Sequence, residues 1–189
     1  MSYYAKNISL RRDVEAQLRT WNLQMHPDNT HIVCCKDDDR RETYPETGFD
    51  FLGYTFRPRR SKNKYGEFFV NFSPAVSNAS KKEMCQKIHG WRMHFKPDKT
   101  LEDLSRMFYP VIRGWVNYFK NFYKSATYPV LRQMNQALVR WVRCKYKKLF
   151  RHRKRAELWL RNIATRELEL FIQWKMGILP GQDNGSRMR

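Results

Sequence analysis

Arg140, Arg143, Lys147, Arg151 and Lys154 recur at intervals of three and four residues. On a helical wheel at about 100° per residue they fall within roughly 80° of one another. Leu131, Met134, Leu138, Trp141, Val142 and Leu149 occupy the opposite side. One face of such a helix packs, and the other offers a row of cations about 20 Å long at ~1.5 Å rise per residue. The chemistry this suits is neutralisation of a phosphate backbone, with counterion release and steep salt dependence. Lys145 and Lys148 flank the row, and Arg153 and Arg155 extend it. A face that serves only solubility usually mixes both signs, whereas residues 139–156 contain no Asp or Glu. A second cationic set, Arg57, Arg59, Arg60, Lys62 and Lys64, is expected at the tip of a hairpin, and Arg113 joins the candidate contacts.

Other chemistries find less support. His89 and His94 are five apart, not the four that sets two metal ligands on one helical face beside a glutamate. Asp37, Asp38 and Asp39 are flanked by Lys36, Arg40 and Arg41 with no apolar return strand after them, and read as a solvent loop. No phosphate-binding glycine loop occurs, and no Ser or Cys nucleophile has a His partner in a recognisable setting. Cys34, Cys35, Cys85 and Cys144 form no CxxC pair, so neither a zinc ribbon nor a disulfide framework is expected, and reduced thiols in a cytoplasmic protein are. No apolar run approaches the roughly 18 residues of a membrane span. We expect no catalytic residue, metal site or cofactor within the chain itself.

The elements that would position the cations divide into two parts. Residues 1–50 hold 7 Lys/Arg against 9 Asp/Glu, while the remaining 139 hold 30 against 9. A surplus that large favours a polyanionic partner. Aromatic residues make up 15% of the chain, which argues for a folded protein. The spacing of Leu10, Val14, Leu18 and Trp21 predicts a helix over residues 10–21. Strands are expected over 31–35 and 49–56, with 68–72 returning from a turn at 61–66. Ser80 and Glu83 read as a capping box opening a helix to about Met93, and Thr100 with Asp103 as another. Leu101, Leu104, Phe108, Val111, Ile112, Trp115, Phe119 and Phe122 make a core-facing stripe that Pro110 should kink or divide into two helices. Pro129 opens a helix expected to run to about Phe150, and a last pair covers 156–163 and 166–175, closed by Gly177. Trp115 and Trp141 lie on the apolar stripes and are assigned to the core rather than to base stacking. The fold class is α+β, a helix-strand-hairpin region followed by a helical bundle.

Several of these stretches carry a resemblance. Residues 21–33, Trp-Asn-Leu-Gln-Met-His-Pro-Asp-Asn-Thr-His-Ile-Val, are similar to the palm segment after the catalytic motif of group II intron reverse transcriptases, with Asn29 where that family usually has lysine. The block Phe49-Asp50-Phe51-Leu52-Gly53-Tyr54-Thr55-Phe56-Arg57-Pro58-Arg59 resembles its last palm strand. Residues from about 76 to 177, including Tyr109-Pro110-Val111-Ile112-Arg113-Gly114-Trp115-Val116-Asn117-Tyr118-Phe119, resemble its thumb, called domain X or the maturase-specific domain. The resemblance implies a distal palm over 1–75, a helical thumb over 76–178 and a flexible tail over 179–189. It also implies structured RNA, group II intron RNA, as the partner. Polymerisation needs three carboxylates holding two metal ions, and in that family the aromatic-x-Asp-Asp motif lies upstream of the segment where this chain starts. Two readings follow. The chain is a truncated maturase that stabilises folded intron RNA, with magnesium entering only through the RNA. Alternatively, it is the thumb-bearing part of a split RNA-directed DNA polymerase that needs a separate fingers/palm polypeptide.

Overall fold

The computed structural model describes residues 3–28, 30–34 and 46–181. The expected strand over 49–56 is interrupted. Leu52 (φ 47°) and Gly53 (φ 79°) both adopt left-handed backbone, and a two-residue turn of that kind suits the twist of a hairpin. It joins β1 (Phe49–Phe51) to β2 (Tyr54–Lys62), which pairs with β3 (Phe68–Val76) in an antiparallel sheet of order β1-β2-β3. Among the described residues there are also six α-helices: α1 (Tyr3–Thr20), α2 (Asn78–Gly90), α3 (Leu101–Phe119), α4 (Tyr128–Lys145), α5 (Arg153–Arg166) and α6 (Ile172–Lys175). Together they make an α+β fold.

The chain divides into two compact units, Met1–Phe49 with Arg57–Phe72, and Asp50–Phe56 with Ser73–Arg189. In the first, α1 begins seven residues earlier than the apolar spacing predicts. It ends in a Schellman motif, with Asn22 left-handed and Leu23 N–H donating to the Leu18 carbonyl at 3.0 Å. Leu10 and Val14 on it, and Trp21 just past its end, stand in solvent (Leu10 60% and Trp21 63% exposed), while Leu18 is half-buried. The strand expected over 31–35 does not form within residues 31–34, where the backbone bond from Cys34 N–H to Glu46 is a single rung. A strand persists only within a ladder, and no described strand lies alongside. Cys35, the Asp37–Asp39 acidic run, Asn29 and the tail from residue 182 lie outside the described residues.

The second unit is built on a core running through Leu104, Phe108, Ile112, Leu138, Trp141 and Leu160. The first capping residue differs from the expected one. Ser77, not Ser80, caps α2, its hydroxyl accepting from Ser80 N–H at 3.1 Å. The helix closes at Gly90 rather than near Met93. Thr100 and Asp103 do form a capping box, with bonds of 3.0 and 3.2 Å. The backbone hydrogen bond from Thr100 holds the Asp103 carboxyl below its ordinary pKa. Pro110 neither divides nor ends α3. Pro110 and Arg106, whose carbonyl loses its partner to the ring, are both exposed, so water can satisfy that group while Phe108 and Ile112 bury on either side of the proline.

Helix α4 stops at Lys145 instead of continuing to Phe150. Tyr146 is extended (φ −108°, ψ 103°), a 3-10 turn covers Lys147–Leu149, and α5 runs from Arg153. The reversal lets α5 bury Ala156, Leu160 and Ala164. It also avoids a single helix in which Arg143, Lys147 and Arg151 would stack as like-charged i,i+4 pairs. The C-terminal segment docks through Asn135, which donates to the Ile178 carbonyl at 2.9 Å and accepts from Trp174 Nε1 at 3.0 Å. Gly177 (φ 79°) closes α6 as expected. Trp141 and Trp174 are buried, and half-buried Trp115 stacks on Trp91 at 5.9 Å between ring centroids.

The Leu52-Gly53-Tyr54 turn seats on the end of α3. Tyr118 Oη donates to the Leu52 carbonyl at 2.8 Å, Tyr54 Oη donates to the Tyr118 carbonyl, and the Tyr54 ring meets Phe119 at 5.0 Å. Burial, then the neighbouring Tyr118, push the Tyr54 phenol above its ordinary pKa. Ser77 N–H donates to the Gly53 carbonyl at 2.9 Å, and a Cβ on Gly53 would lie 2.9 Å from Ser80 Oγ. Gly53→Ala therefore combines left-handed strain with a clash. It should cost about 1–3 kcal/mol, seen as a lower denaturation midpoint at unchanged slope.

Candidate nucleic-acid interface

The reversal at Tyr146 rearranges the predicted cationic row. Arg140 and Arg143 remain on α4, Lys147 and Lys148 sit in the 3-10 turn, Arg151 follows it, and Arg153, Lys154 and Arg155 open α5. The continuous helical face of cations is thus replaced by an elbow. Lys147, Lys148, Arg151, Arg153, Lys154 and Arg155 are all exposed there. Arg153 is tied by Nε to Glu157 Oε1 at 2.9 Å.

Two predicted residues have other partners, and a third lines a cavity. Lys145 Nζ donates to the carbonyls of Pro97 at 2.8 Å and Lys99 at 2.6 Å, and lies 5.3 Å from the centroid of the Trp141 ring. Trp141 Nε1 donates to the Lys96 carbonyl at 2.9 Å, so the last turns of α4 hold the 96–99 loop by three bonds. Lys145 is a clasp rather than an open cation. Arg143 Nε donates to the Phe150 carbonyl at 2.9 Å, pinning the elbow's return. Arg140 is half-buried and faces a cavity.

That cavity, about 580 Å³, was not legible as a site in the sequence. His89, Arg92, His94 and Phe95 line one side, and Arg140, Arg143, Cys144 and Phe150 the other. No carboxylate is among them. Arg92 is left-handed (φ 45°), an unusual backbone for a side chain of that size. Phe95 is 69% exposed and Phe150 56% exposed. The sequence signal was available: both phenylalanines fall off the apolar stripes and stand beside cations. The spacing of His89 and His94 speaks only to metal binding, not to a shared cavity wall, and among the described residues no three His, Cys, Asp or Glu come together to hold a metal.

The second cationic set is described by itself, since it belongs to the other unit. Arg57, Arg59, Arg60 and Lys62 lie within β2, and only Lys64 sits at the tip. Strand alternation puts Arg57 and Arg59 on one face and Arg60 and Lys62 on the other. The latter two flank the Phe68 ring at 5.1 and 5.6 Å, and Lys64 lies 4.9 Å from the centroid of Tyr65. Asn63 Oδ1 shapes the tip by accepting from Tyr65 and Glu67 N–H, each at 2.9 Å. Arg113 is exposed on α3 beside Gly114, where an added Cβ would meet nothing within 4 Å.

A family model described as "Group II intron, maturase-specific domain" matches residues 81–159. Over those residues the chain carries a group II intron maturase-specific domain. No curated protein and no solved structure matches the chain. The matched stretch runs from within α2 into α5 and so contains the whole cavity and the whole cationic elbow, while the β2 cations lie outside it. Among the described residues no helix of this maturase-domain chain is long and apolar enough to cross a membrane.

The separation of clasp from open cations is measurable. Lys145→Met should destabilise the domain by about 1–3 kcal/mol through loss of two charge-assisted hydrogen bonds. Lys148→Ala should stay within about 0.5 kcal/mol of the parent. Chemical denaturation of both variants checks the assignment.

Proposed function

We propose that this chain binds structured group II intron RNA and stabilises its compact, splicing-competent form. The observation that carries the reading is that the maturase-specific match encloses an elbow of exposed cations, Lys147, Lys148, Arg151, Lys154 and Arg155. Folding an RNA brings phosphate-bearing helices together against their repulsion. A rigid protein knuckle of like-signed charge lowers that repulsion while releasing counterions. Duplex regions are read by backbone and shape, so no base-specific group is needed on the elbow. In this reading the chain supplies no catalytic group, and the splicing chemistry belongs to the RNA and its magnesium. The region before residue 76 acts as the distal palm and the helical unit as the thumb.

A second reading, the thumb-bearing part of a split RNA-directed DNA polymerase, is favoured by one observation. Leu10, Val14 and Trp21 of the first unit stand in solvent, as they would if a separate fingers/palm polypeptide covered them. Co-purification of a chain bearing the metal-binding aspartates would select this reading, and a solitary chain active in RNA folding would reject it.

The test of the main reading is the Lys147→Gln/Lys148→Gln/Arg151→Gln variant. Its log–log salt slope for intron RNA should fall by about 2–3, close to one per lost phosphate contact, with affinity down at least tenfold near 150 mM salt. An unchanged slope in a variant that still melts cooperatively would overturn the elbow as the binding surface.

A further inference from the structure

The cavity beside α4 has a chemistry distinct from the open elbow. Three arginines, Arg92, Arg140 and Arg143, line a concave space of about 580 Å³ whose lining includes no carboxylate. Volumes of this order accept a small organic ligand rather than a bare ion. Phe95 and Phe150 present largely exposed rings at its rim, and His94 lies against Phe95 with ring centroids 4.2 Å apart. An anion alone would use the arginines and leave these rings without purpose. A metal cation would be repelled by the arginines.

The walls are also held in place. Arg143 is fixed to the Phe150 carbonyl at 2.9 Å. The opposite wall closes through Arg92 N–H donating to His89 at 3.2 Å and Phe95 N–H donating to Arg92 at 2.9 Å. The left-handed Arg92 makes the turn that places both His89 and Phe95 on the lining, at a backbone cost that tends to be kept where a site needs it. Cations for a phosphodiester and an aromatic surface for a base are the two parts of a single-strand recognition site.

We infer that this cavity receives one unpaired nucleotide extruded from the bound RNA, its phosphate held by Arg92 and Arg140 and its base stacked on Phe95. The inference rests on the RNA-binding reading above and deepens it. The elbow engages backbone irrespective of sequence, and the cavity selects RNA with a residue out of the stack. A paired base cannot enter, because leaving the helix costs unstacking and unpairing that a bulged residue has already met.

The experiment compares two RNA hairpins with identical stems, one carrying a single-nucleotide bulge, titrated with the full chain near 150 mM salt. The parent protein should prefer the bulged hairpin by about tenfold, the scale of one stacked base. Phe95→Ala, at an exposed position outside the cationic elbow, should erase that preference while leaving affinity for the unbulged hairpin within about twofold, and Arg140→Gln should erase it with a loss of affinity for both hairpins. Circular dichroism establishes that both variants fold. Equal binding of the two hairpins by the parent would overturn the cavity assignment and leave the elbow reading standing. Absence of binding to either hairpin would overturn both.

Discussion

The backbone leaves the helix at Tyr146, and the cationic architecture of the helical unit depends on that reversal. The Lys145 ammonium group terminates α4 against the 96–99 loop. Immediately afterwards the Arg143 guanidinium takes the Phe150 carbonyl and the Tyr146 ring meets Trp159 at 4.8 Å. These contacts turn the chain so that α5 can bury Ala156, Leu160 and Ala164. Two surfaces arise from the same bend. Past it six exposed cations gather, and Phe150 returns to line the open cavity between α4 and residues 89–95. Had α4 continued, the charges would have lined one straight face and Phe150 would not return to the cavity lining.

A second constraint joins the two most distinctive sequence blocks. The left-handed Leu52-Gly53 turn and the Tyr118-Phe119 end of α3 are 66 residues apart, yet they exchange hydrogen bonds through Tyr118 Oη and Tyr54 Oη. The tyrosines of both blocks therefore have a mechanical role in anchoring the turn to the helical unit. Arg113 and Gly114 on the same helix stay at the surface, where packing does not account for the glycine. A helix-interior glycine costs about 1 kcal/mol relative to alanine, so its reason lies outside the core.

How much of this was legible in the sequence follows from the range of each interaction. The Thr100–Asp103 box was readable because donor and acceptor lie within one turn. The buried stripes of α3 and α4 were readable because helical period alone sets them. The cap of α2 was misplaced because Ser80 and Glu83 imitate a capping box, while Ser77 gains its extended geometry at the exit from β3. Pro110 looked like a break because the cost of a proline is local and the packing that outweighs it is not. The end of α4 was hidden for the same reason. Residues 146–154 keep helical spacing of charge, and the Lys145 clasp that stops the helix reaches acceptors 46 and 48 positions away. The cations were thus identified by type and region, but their division into clasp, cavity wall and open elbow needed tertiary geometry.

Electrostatics alone would make this chain adhere to any polyanion, since its surplus of charge is large. A bent knuckle with an adjoining cavity should further favour an RNA that presents compact helices and unpaired residues. The most direct test is competition at about 150 mM salt, where unspecific cationic binding weakens, between a folded group II intron RNA, duplex DNA and unstructured RNA for the full chain. The account predicts that the folded intron RNA wins by a hundredfold or more. Equal competition by all three would contradict it, reducing the domain to a basic surface without structural selectivity.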